Sequence, residues 1–371
     1  MLRQVTLDDI EPLRIGAGIL GTGGGGNPYL GSLVLRLAMQ RLGPEPIINP
    51  MELDDNALVA QVGGIGAPTV SVEKLDEGTE MVRAVQRLES HIGRKIDAIA
   101  IAEIGGSNSL RPLLAGLQAG IPTVDSDGMG RAFPEMQMST FLFESDVNVA
   151  PFAMVDAGDN ALVVPYTVSD IWAERIARNV AVSMGARAAL AGSLMTGAQL
   201  KAHGVHYTLT LAHHLGNRVL EAQQEHEDVP EVIAELLSGH VLFRGKIIDV
   251  ERRTTKGFAR GSVTFESYGT ERDRLRIEFQ NEFLIAFLNG AVVITVPDSI
   301  CIVTEDTGEP VTTELLRYGT RVAVIAAPAA KAMKTPAALA VIGPRAFGYD
   351  VDFRPLPGES IGLPPPNERQ P

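Results

Sequence analysis

Ile96-Asp97-Ala98-Ile99-Ala100-Ile101 is a short apolar run that passes into Glu103-Ile104-Gly105-Gly106-Ser107-Asn108. A helical period follows from Leu110 to Ala119, and then a second apolar run, Ile121-Pro122-Thr123-Val124. Short apolar strands alternating with helices read as a parallel sheet with helical crossovers. Working outward, Ala57-Leu58-Val59-Ala60-Gln61-Val62 is a strand of the buried type, ending in Gly63-Gly64-Ile65-Gly66-Ala67-Pro68. Residues 77–92 have helical period. Further upstream, Gly21-Thr22-Gly23-Gly24-Gly25-Gly26-Asn27-Pro28 separates an apolar run ending in Ile19-Leu20 from a periodic helix, Leu30 to Leu42. Thr6, with Asp9 three residues on, marks a helix start before it.

Ligands of such sheets sit beyond the carboxyl ends of the strands. Four loops of similar character, 21–27, 63–68, 103–108 and 125–131, are therefore expected to meet at one crevice. Glycine costs backbone entropy, so five in six positions imply a left-handed turn or a close approach. Before a helix, that approach suits an anion, which makes Gly23, Gly24, Gly25, Gly26 and Asn27 candidates for binding substrate or phosphate. No Lys-Ser/Thr follows, so this is not a P-loop, and the formal G-x-G-x-x-G match is one that any glycine run gives.

Downstream, 167–194 reads as one long helix, with Trp172 as core or interface packing. Two helices follow, 208–224 and 229–237. From His240 the chain reads as β: 240–251, 258–267, 272–279, 283–288, 291–296 and 299–304, with Asn289-Gly290 as a hairpin signal. A short helix near Thr313 and a strand at 320–327 complete the pattern. The expected organisation is an α/β domain over 1–167, an α+β domain over 168–362 (helices, then strands), and a proline-rich tail over 363–371.

The chain has 371 residues, with 32 Lys+Arg against 45 Asp+Glu, a net charge of −13. That balance argues against nucleic acid or an anionic membrane as partner. Cys301 is the single cysteine, so no intrachain disulfide forms. The N-terminus lacks a signal-peptide core, and no uncharged apolar run is long enough to span a bilayer. These features fit a soluble cytoplasmic protein acting on small molecules, in an assembly of its own copies.

Glu103, Asp125 and Asp127 sit at strand ends and are the candidate acid–base groups. Asp125 and Asp127 are two apart, so in an extended strand both carboxylates face one way. Held close, like charges raise one pKa; with Glu103 they also suit a hard divalent cation. Equally, Asp127 caps the turn at Gly128 while Asp125 binds nearby backbone. Arg131 offers a bidentate clamp for a carboxylate or ring carbonyl. Asn108 either binds substrate or caps a helix. Five histidines lie between 203 and 226 without metal-ligand spacing, and Cys301 reads as a buried thiol.

Three blocks carry a resemblance: the glycine loop, Glu103-Ile104-Gly105-Gly106-Ser107-Asn108, and Asp125-Ser126-Asp127-Gly128-Met129-Gly130-Arg131-Ala132-Phe133-Pro134-Glu135. With Gln280-Asn281-Glu282, Val296-Pro297-Asp298 and Glu314-Leu315-Leu316-Arg317-Tyr318-Gly319, they resemble the S-methyl-thiohydantoin desulfurase-like family over nearly the whole chain. The resemblance implies two domains, cleavage of a C–S bond in a five-membered imide-like ring, and association with hydantoinase-type proteins. A non-catalytic nucleotide- or phosphate-binding accessory subunit is the alternative.

Overall fold

The computed structural model describes residues 1–67, 70, 77–270 and 272–357; Pro68 and the tail from Leu363 fall outside them. The first sheet is built from β1 (Gln4–Val5), β2 (Glu45–Ile48), β3 (Leu58–Gly66), β4 (Ala98–Ile101), β5 (Thr123–Asp127), β6 (Phe152–Val155), β7 (Ala161–Val164), β8 (Arg187–Thr196) and β9 (Val205–His206). Their order is β1-β2-β5-β4-β3-β8-β6-β7, with β9 on β5. The centre, β2-β5-β4-β3, is parallel. The flanking strands β1, β8, β6, β7 and β9 pair antiparallel.

The helices are α1 (Ile10–Leu20), α2 (Pro28–Leu42), α3 (Glu80–Ile92), α4 (Ser107–Ala119), α5 (Asp170–Ser183), α6 (Gly197–His203), α7 (Thr208–Glu225), α8 (Val229–Leu236) and α9 (Pro336–Ile342). Crossovers α3 and α4 join β3 to β4 and β4 to β5. Helix α3 buries Met81, Val82, Ala84, Val85 and Leu88 on one face and stops at Gly93, whose φ of 68° is left-handed. All four residues of β4 are buried, as in a strand covered on both faces. Helices α1 and α7 pack almost backbone to backbone. A Cβ on Gly16 would overlap the carbonyl of Ala212, and one on Gly216 would overlap that of Pro12.

The second sheet holds β10 (His240–Thr255), β11 (Phe258–Ser267), β12 (Arg274–Gln280), β13 (Glu282–Leu288), β14 (Ala291–Thr295), β15 (Ser299–Thr304) and β16 (Arg321–Ala327). It is antiparallel throughout, in the order β14-β13-β12-β11-β10-β16-β15. Register breaks at Val241/Phe243, Ile247/Asp249, Glu278/Phe279 and Ala286/Phe287 bend it. Asn289 (φ 50°) and Gly290 (φ 88°) form the β13–β14 hairpin. The sheets share a core: Ile15, Ile19 and Leu215 of the first unit cluster with Cys301, Val303 and Ile325 of the second.

Five readings are corrected. The long helix over 167–194 is α5 plus strand β8. Ala188, Ala189 and Ala191 favour helix locally, but pairing with β3 and β6 overrides that preference. Trp172 is 49% exposed rather than packed, with the Arg175 guanidinium over its ring. The stretch near Thr313 is a turn, whereas α9, capped by Thr335 ahead of Pro336, was missed. The glycine loop joins two helices rather than ending a strand, and Gly63–Gly66 continue β3. Among the described residues no helix is long and apolar enough to cross a membrane.

Candidate active site

A cleft opens where the glycine loop, the β4–α4 loop, the end of β3 and the start of β13 meet. Two adjoining spaces make it up, one beside Gly25 and Gly26 and one against Met129, Met136 and Val149. Both are lined by Gly64, Glu103, Asn108, Phe133 and Arg178, so they form one cleft.

Glu103 lies two residues beyond the end of β4 and is 6% exposed. Its Oε1 accepts from Asn108 Nδ2 at 2.7 Å and its Oε2 from the Phe133 N–H at 3.1 Å. Burial pushes the carboxyl up to about 7; these hydrogen bonds oppose the rise, and the nearby Asp127 charge adds to it. Near neutral pH both protonation states are populated, as acid–base chemistry requires. Asn108 fixes this geometry. It accepts from the Gly64 N–H at 2.9 Å and donates to the Gly64 carbonyl at 3.2 Å as well as to Glu103. It is not the helix cap, a position held by Gly106.

Glu282 begins β13 and is 2% exposed. It lines the cleft beside Glu103, and its Oε2 has no hydrogen-bond partner. Burial pushes its carboxyl well above the ordinary range, and the Glu103 charge pushes it further. The arginines Arg111, Arg178 and Arg187 also line this space. Arg178 is held by Glu174 Oε1 at 2.7 Å, by the carbonyls of Gly66 and Pro134, and by the Phe258 ring beneath it.

The other candidates sit elsewhere. Asp125 is fully buried and accepts from the N–H groups of Leu209 and Thr210 and from the Thr210 hydroxyl, so it caps α7. Asp127 is also fully buried and accepts from the N–H groups of Ile104, Met129 and Gly130. Neither lines the cleft. Burial raises their carboxyls to about 6 and about 7. Arg131 is 2% exposed and donates to the carbonyls of Ala132, Pro297, Asp298 and Phe283, which bolts the two sheets together.

The glycine loop divides its work. Gly25 and Gly26 line the cleft, and their carbonyls accept from the N–H groups of Asn108 and Ser107, so these α4 amides are occupied. Gly23 and Gly24 lie under Phe283 and Glu282 instead. Asn27 caps α2 by accepting from the Tyr29 N–H at 2.9 Å. Among the described residues no three His, Cys, Asp or Glu side chains are grouped to hold a metal ion.

Sequence reading missed Glu282, Arg178, Arg111 and Arg187. Gln280-Asn281-Glu282 stood among the marker blocks, but a turn between antiparallel strands carries no strand-end signal. The arginines lie on helices or a flanking strand, where a charge reads as a solvated face.

The S-Me-THD-like N-terminal domain model matches residues 8–166 and the C-terminal domain model residues 168–356. The chain belongs to this family. No curated protein is significantly similar to it. An X-ray structure of a Chromobacterium violaceum protein shares the fold, with a TM-score of 0.80 at 24% identity, covering 95% of this chain and 100% of that one.

Proposed function

We propose that the cleft hydrolyses a small thiohydantoin- or hydantoin-like cyclic amide, with Glu103 as the acid–base group. The observation that carries this reading is the Glu103 carboxyl itself. It is buried near a strand end, lines the cleft, is held by Asn108 and Phe133, and is shifted towards neutrality. The family's name supplies the substrate class. Hydrolysis needs a base for water and charge stabilisation for the tetrahedral intermediate. Glu103 serves the first need, and the arginines lining the cleft serve the second.

The test is release of thiol or sulfide from S-alkyl-thiohydantoins and thiohydantoins by the full chain, compared with Glu103→Gln. Turnover by the wild type with a loss of at least about 100-fold in the variant is expected. Nucleotide binding without turnover would instead favour the accessory-subunit reading, for which the three arginines in the cleft are the supporting feature.

A further inference from the structure

We propose that Glu282 is the second working carboxyl of the cleft: Glu103 from the first sheet and Glu282 from the second hold one proton between them. The site then presents a carboxylate beside a carboxylic acid. This rests on the hydrolytic reading above.

Three observations carry it. Glu282 is almost fully buried, yet its Oε2 has no partner, and it faces the space that Glu103 faces. Such an atom costs stability unless something else uses it. Its place is also prepared, because a Cβ on Gly24 would overlap the Glu282 carboxylate. Finally, among the described residues no cation is bonded to its Oε2. The charged groups around the two carboxyls are Asp127, Arg131 and Arg178, with Arg111 and Arg187 on the same cleft wall, and the charges of Arg131 and Arg178 oppose the rise at Glu282. Arg131 donates to carbonyls, and Arg178 donates to Glu174 and two carbonyls. Two like charges in one water-poor space do not both ionise, so the pair keeps a proton.

A donor beside an acceptor matches the N–H and C=O, or C=S, edge of a cyclic amide. On an S-alkyl-thiohydantoin, a water gives one proton to the Glu103 carboxylate as its oxygen bonds to the ring carbon and the C=N π pair moves to the ring nitrogen, whose return expels the sulfur. When the C–S bond breaks, the leaving sulfur takes the proton of the Glu282 carboxyl. The products are a thiol and the ring iminol, which tautomerises to the amide. Glu103 now holds the proton and Glu282 the charge, and transfer across the pair resets the site.

The test labels glutamate carboxyl carbons with 13C and follows their titration by NMR in the full-length wild type, Glu103→Gln, Glu282→Gln and Glu282→Asp, beside thiohydantoin turnover. In Glu103→Gln the Glu282 titration, which the Glu103 charge raises in the wild type, should fall by about one pH unit or more. In Glu282→Gln turnover should fall at least about 100-fold, and the high-pH limb of its profile should vanish; Glu282→Asp should restore part of both. An unmoved Glu282 titration in Glu103→Gln, or Glu282→Gln turnover within about twofold of wild type, overturns the proposal. If Glu282→Gln does not fold, wild type and Glu103→Gln decide it: no Glu282 signal titrating above the ordinary range in the wild type overturns the pairing. A wild type that turns over no thiohydantoin but shows the titration shift would sink the hydrolytic reading and leave the shared proton standing.

Discussion

Gly24 and Gly25 are adjacent, and their missing side chains make room for different things. A Cβ on Gly24 would meet the Glu282 side chain, which can swing away; one on Gly25 would meet the backbone of Gly105, which cannot. Gly25 also has φ +76°, where an L-residue costs roughly 1–2 kcal/mol. Gly24→Ala should therefore leave melting nearly unchanged while cutting turnover, and Gly25→Ala should lower Tm outright. Calorimetry beside a thiol-release assay separates them; equal losses of stability would show that Glu282 is as fixed as backbone. Glu45 offers a second residue-scale test. Its carboxyl is fully buried under Gly116, accepts from Thr123 Oγ1, and is raised by burial to about 8. Between about 4.5 and 8 the unfolded chain loses this proton while the folded chain keeps it. Folding is thus favoured below that window and weakens as pH rises through it, by at most about 1.4 kcal/mol per pH unit. Glu45→Gln should remove this slope, so its stability relative to wild type grows from pH 5 to pH 8 in urea titrations. A constant difference would contradict the assignment.

At the level of elements, Asp125 shows what strand-end logic can and cannot reach. The logic puts a polar cluster at the end of β5, and Asp125–Asp127 are there. It does not say which way each carboxylate turns. Asp125 meets the first turn of α7, far along the chain, and α7 has no side-chain cap of its own. The partner that decides its role is invisible to a local pattern, and the same holds for Asp127 and the loop at Ile104. Glu103 was legible because its partner Asn108 is five residues away, within the same loop and helix turn. Strand β8 was illegible for the opposite reason: its alanines satisfy a helix locally and become a strand only between β3 and β6. Asp125→Ala should orphan two amides and a hydroxyl, costing about 2–4 kcal/mol of stability. Chemical denaturation would measure that. A stable variant with lost turnover would return Asp125 to the chemistry.

For the whole molecule, the cleft exists only because two sheets meet, and the stitches lie beside it. Phe283 N–H donates to the Thr22 carbonyl at 2.8 Å, Thr313 N–H donates to the Gly23 carbonyl at 2.9 Å, and Arg131 ties β5's loop to Phe283, Pro297 and Asp298. Glu282 is the residue just before Phe283, so the placement of one carboxyl is coupled to the docking of the sheets. The junction of the two family models, at 166–168, is not where the first sheet ends. Strands β8 and β9 and helix α7, which covers α1 at backbone distance, all come from beyond it. A fragment of residues 1–166 would leave β3 and β6 without the strand between them and α1 without its partner, exposing apolar surface that no local contact replaces. That fragment should fail to fold: circular dichroism should show little of the full chain's helix, and hydrogen exchange should show no protected core in β3 or β4. Co-expressed pieces 1–166 and 167–371 should recover the fold only by associating. A soluble, cooperatively melting 1–166 would instead mean that the parallel centre is a folding unit by itself and that β8 joins a sheet already formed.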